Sequence, residues 1–362
     1  MSAAAALDDF LQQAIRQEIT PGAVALVAHE DRVLHLAAWG DAQVVPAREP
    51  MAADTVFDVA SLTKPLVTAL LVLVLESELD LPPERLARTL LPELGGRDHA
   101  DITLHHLLTH SAGLPAWRPL FLRGETAEEY LRALRHEALQ ELPGRKVVYS
   151  DPGYMAVGEM LRRASGMALD DLFQEVLGGP LGLQATFCPP PKLAGRAAAT
   201  EVGQAFEREL AGEQAAGYRG WREGVIRGEV HDHHAWVAGG VLGSAGLFAT
   251  AADLHRLGLE CLGGGRALLS GRVLERLRLP TSPVGQEARS EGFALNTGGE
   301  GSCGPALPES AFGHVGFTGT SLWLDPESRR IYVLLTNRNH PQVGQGDMME
   351  FRRNFHQLAV EI

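Results

Sequence analysis

Between Lys64 and Glu76 the chain carries no charge; positions 65–75 read PLVTALLVLVL. These 11 residues constrain the fold more than any other stretch. A helix that crosses a bilayer needs about 20 apolar residues, so this one is too short to span. A helix that is apolar on every face must be enclosed on every face. The chain must therefore build a core around it, and 362 residues are enough for one large or two interleaved domains. The N-terminal MSAAAALDDFLQQAIRQE has no basic segment leading into an apolar run. It reads as an amphipathic helix, and the expected location is cytoplasmic, with no membrane partner.

Strand patterns fall at the two ends of the chain. PGAVALVAHEDRVLHLAAWG (21–40) reads as strand, turn and strand, with the turn at Glu30-Asp31. AFGHVGF (311–317), TSLWLD (320–325) and RRIYVLLTN (329–337) read as three more, joined by tight turns. Helices are expected over 7–18, 61–78, 103–110, 126–140, 151–166, 169–177 and 348–360. The stretches 189–192 and 298–308, rich in Pro, Gly and Ser, read as loops. This order predicts an α/β fold: an antiparallel sheet built from both termini, flanked by helices, with a helical insert subdomain. Residues 1–60 and 240–362 would form the sheet domain and 61–239 the mostly helical subdomain. The crevice between them is the natural ligand site.

Ser61 and Lys64 lie three residues apart at the start of the apolar run, on one face of the expected helix. A serine hydroxyl needs a neighbouring base to act as a nucleophile. An amine can serve if burial strips its proton, and a helix N-terminus adds N–H groups for developing negative charge. Composition sharpens this point. Of 32 basic residues only Lys64, Lys146 and Lys192 are lysine. Arginine cannot lose its proton, so a lysine in this background is a candidate base. The alternative is a lysine that extends its head group to water from a helix end.

Two further stretches follow in order: YSDPGY at 149–154 and GHVGFTGTS at 313–321. Together the three supply Ser-x-x-Lys, Tyr-x-Asp and His-x-Gly. This set resembles the serine β-lactamase and penicillin-binding-protein superfamily, in its class C-like branch with the family VIII carboxylesterases and D-alanyl peptidase relatives. DVASLTKPLVTAL, ITLHHLLTHSAGLP, PLGLQATFCP, GEVHDHHAWVAGGVLGSAGLFATAADL and LLTNRNHP extend the likeness over nearly the whole chain.

The resemblance implies a β-lactamase-like fold and an acyl-enzyme mechanism without a cofactor. Ser61 takes the place of the nucleophile, Lys64 that of its partner, and Tyr149 that of the residue relaying the proton to the leaving group. That relay requires Lys64 and its surroundings to lower the tyrosine pKa from its usual ~10. His314 and Gly316 match the cleft-lining strand motif. Phe317 would give the second oxyanion N–H beside that of Ser61.

Two positions depart from the β-lactamase pattern. Asp151 stands where many members carry Asn, and an ionised carboxylate cannot donate to a substrate amide. His314 stands where a lysine is usual, which implies weaker attraction for a substrate carboxylate. Both favour a serine hydrolase acting on esters of small acyl groups. The alternatives are a D-amino-acid amide or peptide hydrolase, a weak β-lactamase, or a non-catalytic ligand-binding member.

Other features read as structural. THSAG (109–113) and LGSAG (242–246) lack the first glycine of a nucleophile elbow, so Ser111 and Ser244 are expected to form turns. His105, His106 and His110 belong to a structural helix. In HDHH (231–234) adjacent side chains diverge, so at most two could share an ion, and no metal is expected. His231 and Asp232 would fix a loop, and Trp236 would line the cleft. Cys188, Cys261 and Cys303 have no metal spacing and read as free thiols. A net charge of −13 argues against nucleic-acid partners. The expected partner is a small ester or amide substrate, with the oligomeric state left open.

Overall fold

A computed structural model describes residues 2–96, 98–296, 301–344 and 346–362. Of the expected loop 298–308, Gly298, Gly299 and Glu300 lie outside the described residues.

The two ends of the chain meet in one seven-stranded sheet. The N-terminal part supplies β1 (Gly22–His29), β2 (Arg32–Gln43) and β3 (Glu49–Pro50). The C-terminal part supplies β4 (Ala294–Leu295), β5 (Phe312–Val315), β6 (Ser321–Asp325) and β7 (Arg330–Thr336). The order is β3-β2-β1-β7-β6-β5-β4, antiparallel throughout. The central β1–β7 pair joins the termini, with Ala25 opposite Leu334 and Val27 opposite Tyr332.

Alternation along β1 explains why both sheet faces are covered. Ala23, Ala25 and Val27 pack with Leu7 and Leu11 of α1 (Ala3–Arg16) and with Phe351 and Phe355 of the C-terminal helix Met348–Ala359. Val24, Leu26 and Ala28 face the opposite way, into the large core with Leu254 and Leu257 of helix Ala251–Cys261. The apolar run is enclosed as its composition demands: Leu66, Val67, Leu70 and Leu71 are fully buried in this second core.

That run is not one regular helix. A 3-10 turn covers Ala60–Leu62, a π-helical stretch Lys64–Ala69, and an α-helix Leu70–Leu75. Pro65 lacks an N–H and so cannot close a regular turn there. The expected helix over 126–140 is also shorter, covering Ala127–Leu134. Beyond it, Gln140 and Gly144 donate their N–H groups to the Gly113 and Ser111 carbonyls, which holds that segment as a loop. The expected loop at 189–192 contains the start of one helical turn, Pro191–Ala194, with proline at its first position.

Candidate active site

Three segments converge beside the sheet. The first is the turn carrying Ser61. Ala60 has φ +48, a left-handed conformation unusual for alanine, and Asp58 Oδ1 accepts from its N–H at 2.8 Å. Asp58 is buried, and its other oxygen accepts from the His231 N–H at 2.6 Å. One carboxylate thus fixes both the serine turn and the HDHH segment.

The second segment is the turn after β5. Thr318 Oγ1 donates to the Asp58 carbonyl at 2.7 Å, and Thr320 Oγ1 to the Val59 carbonyl at 3.0 Å. These bonds tie the Phe317 turn to the residues just before Ser61. Gly316 makes this closeness possible, because a Cβ there would overlap Thr320 Oγ1 and the Val59 carbonyl oxygen. The Phe317 N–H has no acceptor among the described residues, as a donor kept for a substrate oxygen would.

The third is the start of helix Asp151–Ser165, capped by Ser150. Tyr149 precedes the cap, with its ring 4.4 Å from that of His110 and 5.8 Å from that of His314.

Lys64 connects these segments. Its side chain is 1% exposed, and Nζ donates to Ser61 Oγ at 2.9 Å and to the Ser244 carbonyl at 2.9 Å. Asp151 Oδ1 lies 2.7 Å from it. Three acceptors match the three N–H donors of an ammonium. The expectation that burial would strip its proton is therefore corrected. Burial does oppose the charge, but the Asp151 carboxylate and Tyr149 outweigh it and hold the Lys64 pKa above its ordinary value. Asp151 lines the cleft as expected, but as the counter-ion of Lys64 rather than as a free carboxylate.

Ser61, Tyr149 and Phe317 line two clefts at once. The larger, about 830 Å³, also holds His314, Arg289, Arg338 and Arg352. His314 is buried and its Nδ1 lies 2.9 Å from the Val315 carbonyl oxygen. Burial, then the charges of Arg289 and Lys64, push its pKa well below the ordinary histidine value. The imidazole is neutral, as expected, yet the cleft is still cationic. Arg289 is buried with Nε and Nη1 unpartnered, and Arg352 with Nε unpartnered. Among the described residues no carboxylate lies within ion-pair distance of Arg338 or Arg352. Burial and the charge of Arg338 press Arg352 down to about 9, which leaves it charged at neutral pH. His314 thus adds no cation, as its replacement of a lysine implied; the cleft's positive charge comes from the arginines, of which Arg289 also pairs with the cleft-lining Glu287 at 2.8 Å.

The smaller cleft, about 260 Å³, is lined by Trp117, Phe206, Asp151, Glu207 and Asp232 among others. Sequence reasoning missed Glu207, the arginines and Asp58. Asp58 opens the quoted DVASLTKPLVTAL and Arg338 lies in the quoted LLTNRNHP; Glu207, Arg289 and Arg352 sit in stretches with no recognisable spacing.

The remaining candidates are placed as follows. Ser111 is buried, with its hydroxyl 2.9 Å from that of Thr109. Ser244 offers its carbonyl to Lys64, while its own hydroxyl has no partner. His110 supports the site rather than a helix face: Nδ1 accepts from the Ser150 N–H at 2.9 Å beneath the Tyr149 ring. Asp232 caps helix His233–Val237, and His231 Nε2 lies 3.1 Å from Glu201. Trp236 does not line either cleft; it borders a separate cavity beside Cys188 and Gly239. No helix among the described residues is long and apolar enough to cross a membrane.

A sheet built from both termini, with a buried Ser-x-x-Lys beside it, defines a serine hydrolase of the β-lactamase type. The chain belongs to the Beta-lactamase family, whose model matches residues 7–354. A protein of Escherichia coli (strain K12), provisionally named a D-alanyl-D-alanine carboxypeptidase, is 29% identical over 353 residues, covering 89% of this chain and 80% of that relative. The N-acetylmuramyl-L-alanine amidase of Bacillus subtilis (strain 168) is 30% identical over 378 residues, covering 92% and 81%. Among solved structures, EstCE1, a hydrolase with promiscuous acyltransferase activity, superposes with a TM-score of 0.76 at 22% identity, covering 98% of each chain.

Proposed function

We propose that the protein hydrolyses esters of small acyl groups through an acyl-enzyme on Ser61. The observation that carries this is the 2.9 Å contact between Ser61 Oγ and Lys64 Nζ at the junction of two clefts. Lys64 acts as a fixed cation that orients Ser61. Tyr149 acts as a phenolate that takes the Ser61 proton, and the negative charge it carries before that transfer is stabilised by Lys64 and Arg289, which lie 5.1 Å and 5.4 Å from its ring centre. The proton then passes to the leaving group as the tetrahedral intermediate collapses. The N–H groups of Ser61 and Phe317 receive the oxyanion. Water repeats the sequence to release the acid.

An ester needs less help than an amide, because an alkoxide or phenolate leaves more readily than an amine. The arginine-lined cleft supports a second reading, hydrolysis of D-amino-acid amides or peptides whose leaving group ends in a carboxylate. One experiment tests both. A fluorophosphonate should add once, at Ser61, and Ser61→Ala should abolish labelling; labelling at Ser111 or Ser244 that survives the substitution overturns the mechanism. Comparing kcat/KM for p-nitrophenyl esters and D-alanyl peptides then separates the two substrate classes.

A further inference from the structure

The smaller cleft has a composition that ester hydrolysis alone leaves unexplained. Glu207 is 5% exposed and Asp232 half-buried, and both line it. Oxygens of the two and a ring nitrogen of His234 all lie within 4.8 Å of one another. His234 is 1% exposed. Its Nε2 lies 2.7 Å from the Arg118 carbonyl oxygen and 3.1 Å from the Leu120 N–H. With Nε2 donating to the Arg118 carbonyl, the nearer of the two, Nδ1 carries a lone pair, and Nδ1 has no partner. Burial keeps this ring neutral by lowering its pKa.

Three acceptors therefore converge with no cation among them. Glu207 accepts from Gln204 Nε2 at 2.6 Å and from the His233 N–H at 3.0 Å, and Asp232 accepts from the Ala235 N–H at 2.7 Å. These are neutral donors. Arg222, the guanidinium of this region, donates to Gln204 and to the carbonyls of Val230 and His231 rather than to either carboxylate. Burial and the Asp232 charge push the Glu207 pKa well above the ordinary carboxylate value. Acids crowded in this way want a cation.

We propose that Glu207, Asp232 and His234 Nδ1 form a subsite for a protonated amine, so that the preferred acyl group is one bearing a free amino group. An alkylammonium has three N–H donors for three acceptors. Acceptors held at ~2.9 Å around it at tetrahedral angles stand ~4.7 Å apart, inside the 4.8 Å within which these three atoms lie. Trp117, Phe206 and Phe317 give the same cleft aromatic walls, which also suit a cation. With arginines in the other cleft, opposite charges flank Ser61. A carboxylate on the leaving group and an amine on the acyl group would each meet their complement.

This inference rests on Ser61 acylation, and the experiment separates the two. Wild-type turnover of p-nitrophenyl acetate reports the acylation chemistry alone. Methyl esters of glycine, both alanine enantiomers, β-alanine and 4-aminobutyrate are then compared with their N-acetyl counterparts. At one chain length or more, the free amine should be preferred at least tenfold in kcat/KM. Glu207→Gln should cut that preference at least tenfold, mainly through KM. A check on the unaltered protein avoids reliance on folding of the variant: n-propylammonium should inhibit p-nitrophenyl acetate hydrolysis competitively, and n-butanol should not. Acetate turnover without any amine preference overturns the subsite. So does stoichiometric zinc binding at these residues that is lost in Glu207→Gln. No acetate turnover and no labelling at Ser61 overturns the acylation reading itself.

Discussion

Replacing Asp151 by Asn tests whether Lys64 works as a cation. The side chains are nearly isosteric, so the main loss is one negative charge 2.7 Å from Nζ. At that separation the Coulomb energy is roughly 6 kcal/mol for an effective dielectric of about 20. Asp151 is 23% exposed, so solvent screens part of this. A fall of about 1–3 units in the Lys64 pKa is the realistic range. Burial, now opposed by Tyr149 alone, pushes the same way. If the ammonium is the working form, kcat/KM for p-nitrophenyl acetate in the variant should gain an alkaline fall-off about 1–3 units below that of the wild type. A neutral amine acting as base gives the opposite result: the variant would become faster near neutral pH as more Lys64 lost its proton. That outcome, or an unmoved profile, would refute the reasoning.

Stability gives an independent reading of the same pair. A raised folded pKa means that the contribution is fully present below the unfolded lysine value of ~10.4 and is lost only as pH rises through the folded value. The Tm deficit of Asp151→Asn should therefore be nearly the same at pH 6 and pH 8. A deficit that vanishes between these two values would show that Lys64 is already neutral there.

Two substitutions probe the other segments. Tyr149→Phe keeps the ring on His110 and removes only the hydroxyl, so Tm should hold while turnover falls by about 10²–10⁴, the scale of acid–base catalysis; near-normal ester turnover would make Tyr149 a packing residue. Gly316→Ala forces the Phe317 turn away from Val59, so it should lower both Tm and kcat, the latter by about 10² or more, as when an oxyanion donor is lost; unchanged kcat would mean that Phe317 N–H does not meet the oxyanion.

The fold was legible where local pattern and global role agree. β1, β6 and β7 run apolar because they are buried on both faces, β2 is half-exposed along most of its length, and short turns forced antiparallel pairing. Helix interiors were less legible. Nothing in PLVTALLVLVL announces a π-helical stretch, and the 126–140 pattern gave no sign that Gln140 and Gly144 would bond to Gly113 and Ser111. In both places tertiary hydrogen bonding or a proline overrides propensity.

The site divides along the same line. Ser61 and Lys64 were readable because their contact is set by spacing within one element, and Tyr149 and His314 because they sit in short motifs of fixed order. The charge environment was not readable, because it is assembled from afar. Lys64 meets Asp151 across 87 positions and the Ser244 carbonyl across 180. The larger cleft gathers Arg289 from the segment before β4, Arg338 from just beyond β7 and Arg352 from the last helix. The smaller gathers Glu207 from the short helix Ala205–Ala211 and Asp232 from the cap of helix His233–Val237. Such charges obey no spacing rule, and composition misleads about them: a lysine in an arginine-rich chain looked like a base chosen for its lability, and a histidine in place of a lysine looked like a lost cation. In the folded chain the Asp151 carboxylate favours the charged form of the lysine, and arginines line the cleft in which the histidine is neutral. The proposed nucleophile and its lysine partner were thus inferable from local sequence, while the charges around them depend on how distant segments pack.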